Sequence, residues 1–239
     1  MADIEYVTSE ELELTRKASE IKQWAFEKIE NIGLTRGGVT AIRLHQGKSI
    51  KRLLEEAAPI GIFCEKYFID DSDKVFIKHC TGDHPYDAII NDERNIKSAL
   101  NYLEVTQARD GIGEYFRMLK LDQCGSVNAL GKVTKTGSKK NGIKVEVENE
   151  AFSHDHILNK ELQKIYDAAK RKCNKDYPKN TGLIIICDDS HLLNDESDTE
   201  KIDDYVTKEV VPMLKNFSMV FVVGWGSRVY FQYQCNLVL

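Results

Sequence analysis

The run LIIICDD, Leu183 to Asp189, constrains this chain more than any other stretch. Its apolar residues leave no polar side for water, so a strand built from them is stable only with both faces covered. A long helix precedes it: SHDHILNKELQKIYDAAKRKCNKDY carries an apolar stripe at Ile157, Leu158, Leu162, Ile165 and Ala169 and a basic end at Lys170, Arg171 and Lys172. Cations at a helix C-terminus complement the helix dipole. A further helix, roughly 198 to 215, leads to MVFVVG and VYFQYQ around a WGSR turn. Helices alternating with apolar strands predict an α/β fold, a mixed central sheet flanked by helices.

Upstream, Ser9 is an N-cap for an amphipathic helix over residues 9 to 31, with Leu12, Ile21, Trp24, Phe26 and Ile29 among charges. GLTRGG ends it, VTAIRL reads as a short strand, and QGKSIKRLLEEAAPIGIFCEKYF reads as a helix interrupted near Pro59. KVFIKHC and the segments carrying Asp87 and Glu104 are three successive strands, an antiparallel meander. The helix DGIGEYFRMLKLD follows, then KVTK and IKVEVE as the arms of a hairpin around GSKKNG. The 239 residues divide into an N-terminal helical extension, 1 to 46, and an α/β core, 47 to 239, with the hairpin inserted at about 131 to 149.

The formal net charge of −5 argues against a uniformly basic nucleic-acid binder, but exposed charges are screened beyond about 8 Å, so local patches matter more. One such patch is GKVTKTGSKKNGIK, which carries Lys132, Lys135, Lys139, Lys140 and Lys144 without an acid. It suits phosphate contacts and equally suits a solvated loop. No apolar run is long enough to cross a bilayer, and MADIEYVTSEELEL is acidic where a signal peptide is basic and then apolar, so a cytoplasmic protein is expected. The six cysteines form no CxxC pair and read as reduced, mostly buried thiols. His79, Cys80, His84, His154 and His156 lack the two-residue ligand spacing of zinc sites. VYFQYQCNLVL could be an edge strand that pairs with a second copy in a homodimer.

Chemistry concentrates between His84 and Asp110. Side chains alternate along a strand, so Tyr102, Glu104 and Thr106 share a face, and neighbouring strands would let Asp87 and Glu104 converge. Two carboxylates meeting on an apolar sheet raise each other's pKa unless a divalent cation, a proton or a basic group lies between them. A metal is the economical explanation. Glu55 and Glu56 lie on the preceding helix, where solvated carboxylates are the ordinary reading.

The LLEE helix at 53 to 56, the meander with PYD at 85 to 87 and LEVT at 103 to 106, and the crossover to LIIICDD together resemble the PD-(D/E)xK nuclease superfamily, over residues 48 to 190. Within it, LLEE, YDA, EVT and RML resemble uncharacterised bacterial members with EVT in place of ExK. The resemblance implies a restriction-endonuclease-like core, αβββαβ, and metal-dependent hydrolysis of phosphodiester bonds in nucleic acid, DNA ahead of RNA. It implies Mg2+ or Mn2+ held by Asp87, Glu104 and the main-chain carbonyl of Val105, with Glu55 or Glu56 as an auxiliary acid. Where the superfamily pattern has lysine this chain has Thr106, followed by Gln107; Lys120 and Lys144 are alternative sources of the cation. The alternative function is a catalytically inactive nuclease-fold module that binds nucleic acid or a protein partner. A Walker-type ATPase is disfavoured, because Ile42 stands where the phosphate loop ahead of QGKS needs its first glycine.

Overall fold

The computed structural model describes residues 6–95, 97–127, 131–138, 142–190, 192 and 196–235. The expected helix over residues 9 to 31 is two helices, α1 (Ser9–Leu12) and α2 (Ala18–Gly33), separated by a short strand, β1 (Arg16–Lys17). The N-cap of α1 is Thr8, whose hydroxyl accepts from the Glu11 amide. VTAIRL is a helix, α3 (Gly38–Arg43), because Ala41 is its inward residue and its β-branched residues do not alternate between two faces.

The next helix is continuous through Pro59 and changes pitch ahead of it. α4 (Lys48–Arg52) passes into a π-helical turn (Leu53–Ala57) and then α5 (Ala58–Tyr67). Ala58 N–H bonds five residues back to the Leu53 carbonyl. Proline has no N–H to give the carbonyl four residues before it, that of Glu55. The side-chain amide of Gln107 donates to that carbonyl instead, at 2.7 Å. The same device recurs late in the chain, where α8 (Glu196–Tyr205) continues as a π turn (Val206–Val210) and a 3-10 turn containing Pro212.

Seven strands form one mixed sheet in the order β1, β2 (Val75–His79), β3 (Ala88–Asp92), β4 (Tyr102–Gln107), β7 (Thr181–Cys187), β8 (Met219–Gly224), β9 (Tyr230–Gln234). β2, β3 and β4 are the antiparallel meander; β4, β7 and β8 run parallel; β9 returns antiparallel. The crossover from β4 to β7 contains α6 (Gly111–Cys124), a separate hairpin of β5 (Val133–Ser138) and β6 (Gly142–Val147), and α7 (His154–Lys170).

Both faces of β7 are covered, as its apolar run requires. On one face, Leu103, Val105, Ile184 and Ile186 meet Ile60 and Phe63 of α5; on the other, Leu183 and Ile185 meet Leu158, Leu162 and Ile165 of α7. Helix cover on the α7 side stops at β4. Over β2 and β3 that face carries Phe76, Lys78, Ile89, Asn91 and Glu93, which line an open hollow of about 420 Å³. Among the described residues no helix is long and apolar enough to cross a membrane.

Candidate functional site

The site arises where β3 leaves β4. These strands are paired only at Ala88–Leu103 and Ile89–Tyr102, whereas β4 stays paired with β7 over its whole length. One step beyond the last antiparallel pair, Asp87 falls opposite Glu104, so the two carboxylates come together as alternation predicts. Backbone alternation also turns Val105 away from β7, toward the gap that β3 has left. Asp87 Oδ2 fills part of this gap, accepting from the Val105 amide at 2.7 Å. The Val105 carbonyl points the same way.

Glu104 is buried, and its Oε1 forms an ion pair with Lys172, just past the end of α7. Tyr177 donates to the same oxygen at 3.4 Å. Burial and the Glu104 carboxylate both push the Tyr177 phenol upward, which keeps it a proton donor. Glu56, from the π turn, accepts from His79 Nε2 at 2.8 Å. His79 Nδ1 is buried without a hydrogen-bond partner, so the tautomer with its proton on Nε2 leaves only a lone pair unsatisfied.

Asp87 carries the electrostatic signature of the site. Burial, then Glu104, then Glu56 push its carboxyl up to about 8, against the opposing pull of the Val105 amide and Lys172. Lys172 therefore does not balance the negative charge gathered here. Asp87 Oδ1 and Glu104 Oε2 make no hydrogen bond among the described residues and still reach solvent. With the Val105 carbonyl they form a set of hard oxygen donors of the kind that suits Mg2+ or Mn2+. Among the described residues no three His, Cys, Asp or Glu side chains are gathered as metal ligands, so a cation here would rest on two carboxylates, one main-chain oxygen and water.

No protein-family model, curated protein or solved structure matches this chain.

The remaining sequence expectations divide by position. Of the two helix glutamates, Glu56 pairs with His79 and is the one whose charge bears on Asp87, while Glu55 is held by His45 at 2.8 Å and Arg109 at 2.5 Å. Burial alone would raise the Glu55 carboxyl; the His45 hydrogen bond, Arg109 and Lys51 outweigh it and hold the group below its usual range. Thr106 is buried on the Glu104 face. Gln107 lies on the opposite face, tied to the Glu55 carbonyl, and so stands apart from the carboxylates. The cation beside Glu104 is Lys172, not Lys120 or Lys144: Lys144 pairs with Glu146 at 2.7 Å within the hairpin. Lys135 sits 5.1 Å from the Phe116 ring centroid and Lys132 is exposed, while Lys139 and Lys140 lie outside the described residues. Lys172 was missed because it stands 68 residues from Glu104, in a basic run that a helix end already explains.

The other acids and histidines have structural partners. Asp189 accepts from the amides of Gly226, Arg228 and Val229, anchoring the turn between β8 and β9. A Cβ on Gly224 would lie 2.0 Å from its carboxylate, so only glycine fits there. His154 pairs with buried Asp198, and His156 stacks on Phe152.

Proposed function

We propose that this chain is a metal-dependent nuclease-like protein of the PD-(D/E)xK type, hydrolysing phosphodiester bonds in nucleic acid, with Asp87, Glu104 and the Val105 carbonyl holding Mg2+ or Mn2+. The observation that carries the reading is the Asp87 carboxyl: it is crowded by Glu104 and Glu56 and raised despite Lys172, which marks a place short of positive charge. The order helix, meander, crossover and buried parallel strand supports a restriction-endonuclease-like core.

A bound divalent cation would polarise the phosphate and make a water nucleophilic at neutral pH. Asp87 and Glu104 would orient that ion from adjacent strands. Lys172 would take the part of the lysine missing at Thr106: its ammonium pairs with Glu104 and would offset the charge that develops on the phosphate oxygens. Glu56, fixed by His79 and close enough for its charge to act on Asp87, would accept a proton from water. Gln107, tied to the Glu55 carbonyl, would stay outside this chemistry.

The test is calorimetric Mn2+ titration alongside cleavage of mixed DNA and RNA. The wild type is expected to bind and cleave; Asp87→Asn and Glu104→Gln lose both. Lys172→Met keeps metal binding and loses about 100-fold or more in cleavage rate, the scale of a lost electrostatic stabiliser. Absence of Mn2+ binding in the wild type refutes the catalytic reading. A second reading, an inactive binding module of the same fold, is favoured by one observation: Lys172 already supplies Glu104 with a cation. It predicts nucleic-acid affinity that falls with salt, at a log–log slope near −0.9 per phosphate neutralised on duplex DNA, without cleavage.

A further inference from the structure

Three rings lead from the surface to the carboxylates. His84 stacks on Tyr86 with centroids 5.4 Å apart and planes 11° from parallel, and Tyr86 lies 4.5 Å from Tyr102. Tyr86 immediately precedes Asp87, and Tyr102 shares the Glu104 face of β4. The strand register sets the ladder beside the open hollow, which the rings themselves do not line: Lys78 pairs with Ile89 and Ile89 with Tyr102, so one row of side chains crosses β2, β3 and β4 on the uncovered side. The next row, Phe76 and Asn91, continues the floor. The hollow's about 420 Å³ lies within the range of small-molecule pockets, roughly 300–1,000 Å³.

Charge points to the occupant. At the end of α7, Lys170, Arg171 and Lys175 are exposed, and Arg171 donates to the Gln107 carbonyl on β4. These cations stand beside the strand that borders the uncovered face. An unpaired nucleotide matches both features: its phosphate is drawn to the cationic end of α7 and its base presents a flat face to the rings. A paired base presents only its edge, because both of its faces are already stacked.

We infer that the uncovered half of the sheet, with the His84, Tyr86 and Tyr102 ladder, is a stacking platform for unpaired bases, so that single-stranded nucleic acid is the substrate class of the Asp87–Glu104 site. This rests on the nucleic-acid reading above. Stacking adds affinity without reading sequence, since every base has a π face.

The test is fluorescence anisotropy in EDTA, where metal-dependent cleavage does not compete, using a labelled single strand of about 12 nucleotides and the duplex of the same sequence. The single strand is expected to bind at least about tenfold more tightly. His84→Ala should lower single-strand affinity by roughly 5- to 150-fold, the range of one lost base stack; Tyr86→Ala, which removes the ring that His84 stacks on, should lower it as well, and Tyr86→Phe should retain it. Circular dichroism confirms that each variant is folded; both alanine changes are at or near the surface. Equal affinity for the two forms, or wild-type affinity in both folded alanine variants, overturns the inference. Cleavage of duplex by a protein without single-strand preference overturns this inference alone. Ring-dependent single-strand binding without Mn2+-dependent cleavage upholds the stacking platform but removes the nuclease reading, and with it the assignment of single strands as substrate.

Discussion

Asp87 couples the stability of the site to its chemistry. Its raised pKa means that the folded protein keeps a proton that the unfolded chain releases above about pH 4. Between about pH 4 and pH 8 the native state thus binds more protons than the unfolded one, and stability falls as pH rises through that window. Urea unfolding midpoints at pH 5.5 and pH 8 should show this decline in the wild type and a flatter profile in Asp87→Asn; identical profiles would remove Asp87 as its source. A cation bound between Asp87 and Glu104 displaces the proton, so Mn2+ affinity should increase over the same range. Residue-scale reading of the sequence anticipated the meeting of Asp87 and Glu104, because strand alternation is local geometry. It could not separate Glu55 from Glu56. They are adjacent on one helix, and only what packs around that helix, His79 beside one and His45 with Arg109 beside the other, tells them apart.

At the scale of elements, the helix bearing these glutamates owes its course to Pro59. A carbonyl without its usual donor is costly when shielded from water, and Gln107 on β4 offsets that cost for Glu55 while pinning the helix to the strand. Gln107→Met is expected to destabilise the fold by about 1–2 kcal/mol, the cost of leaving that carbonyl unpaired. Pro59→Ala restores a backbone N–H four residues after Glu55, so Gln107→Met should cost much less in that background. A double-mutant cycle in urea measures the coupling; additive effects would show that Gln107 does not answer to the proline. Sequence reading placed the break near Pro59 correctly but expected an interruption, where a π turn keeps the helix continuous. VTAIRL, read from the sequence as a short strand, is helical: β propensity depends on context, and tertiary packing overrides it here.

Over the whole molecule, Asp189, a single carboxylate just past the end of β7, ties that strand to the turn leading into β9. Asp189→Ala strands three backbone amides and should cost about 3 kcal/mol or more, with amide exchange in β9 accelerating ahead of β4 and β7. Uniform acceleration across the sheet would mean that the anchor is global. The α/β class, the meander and the both-sides burial of LIIIC are legible in the linear pattern, since they follow from periodicity and from apolar runs that water cannot cover. Which cation stands beside Glu104, which glutamate pairs with His79, and which half of the sheet lies open emerge only from the folded packing. Those choices depend on contacts between residues far apart in the chain, such as Lys172 with Glu104, and a linear pattern carries no record of which distant side chains a crossover brings together.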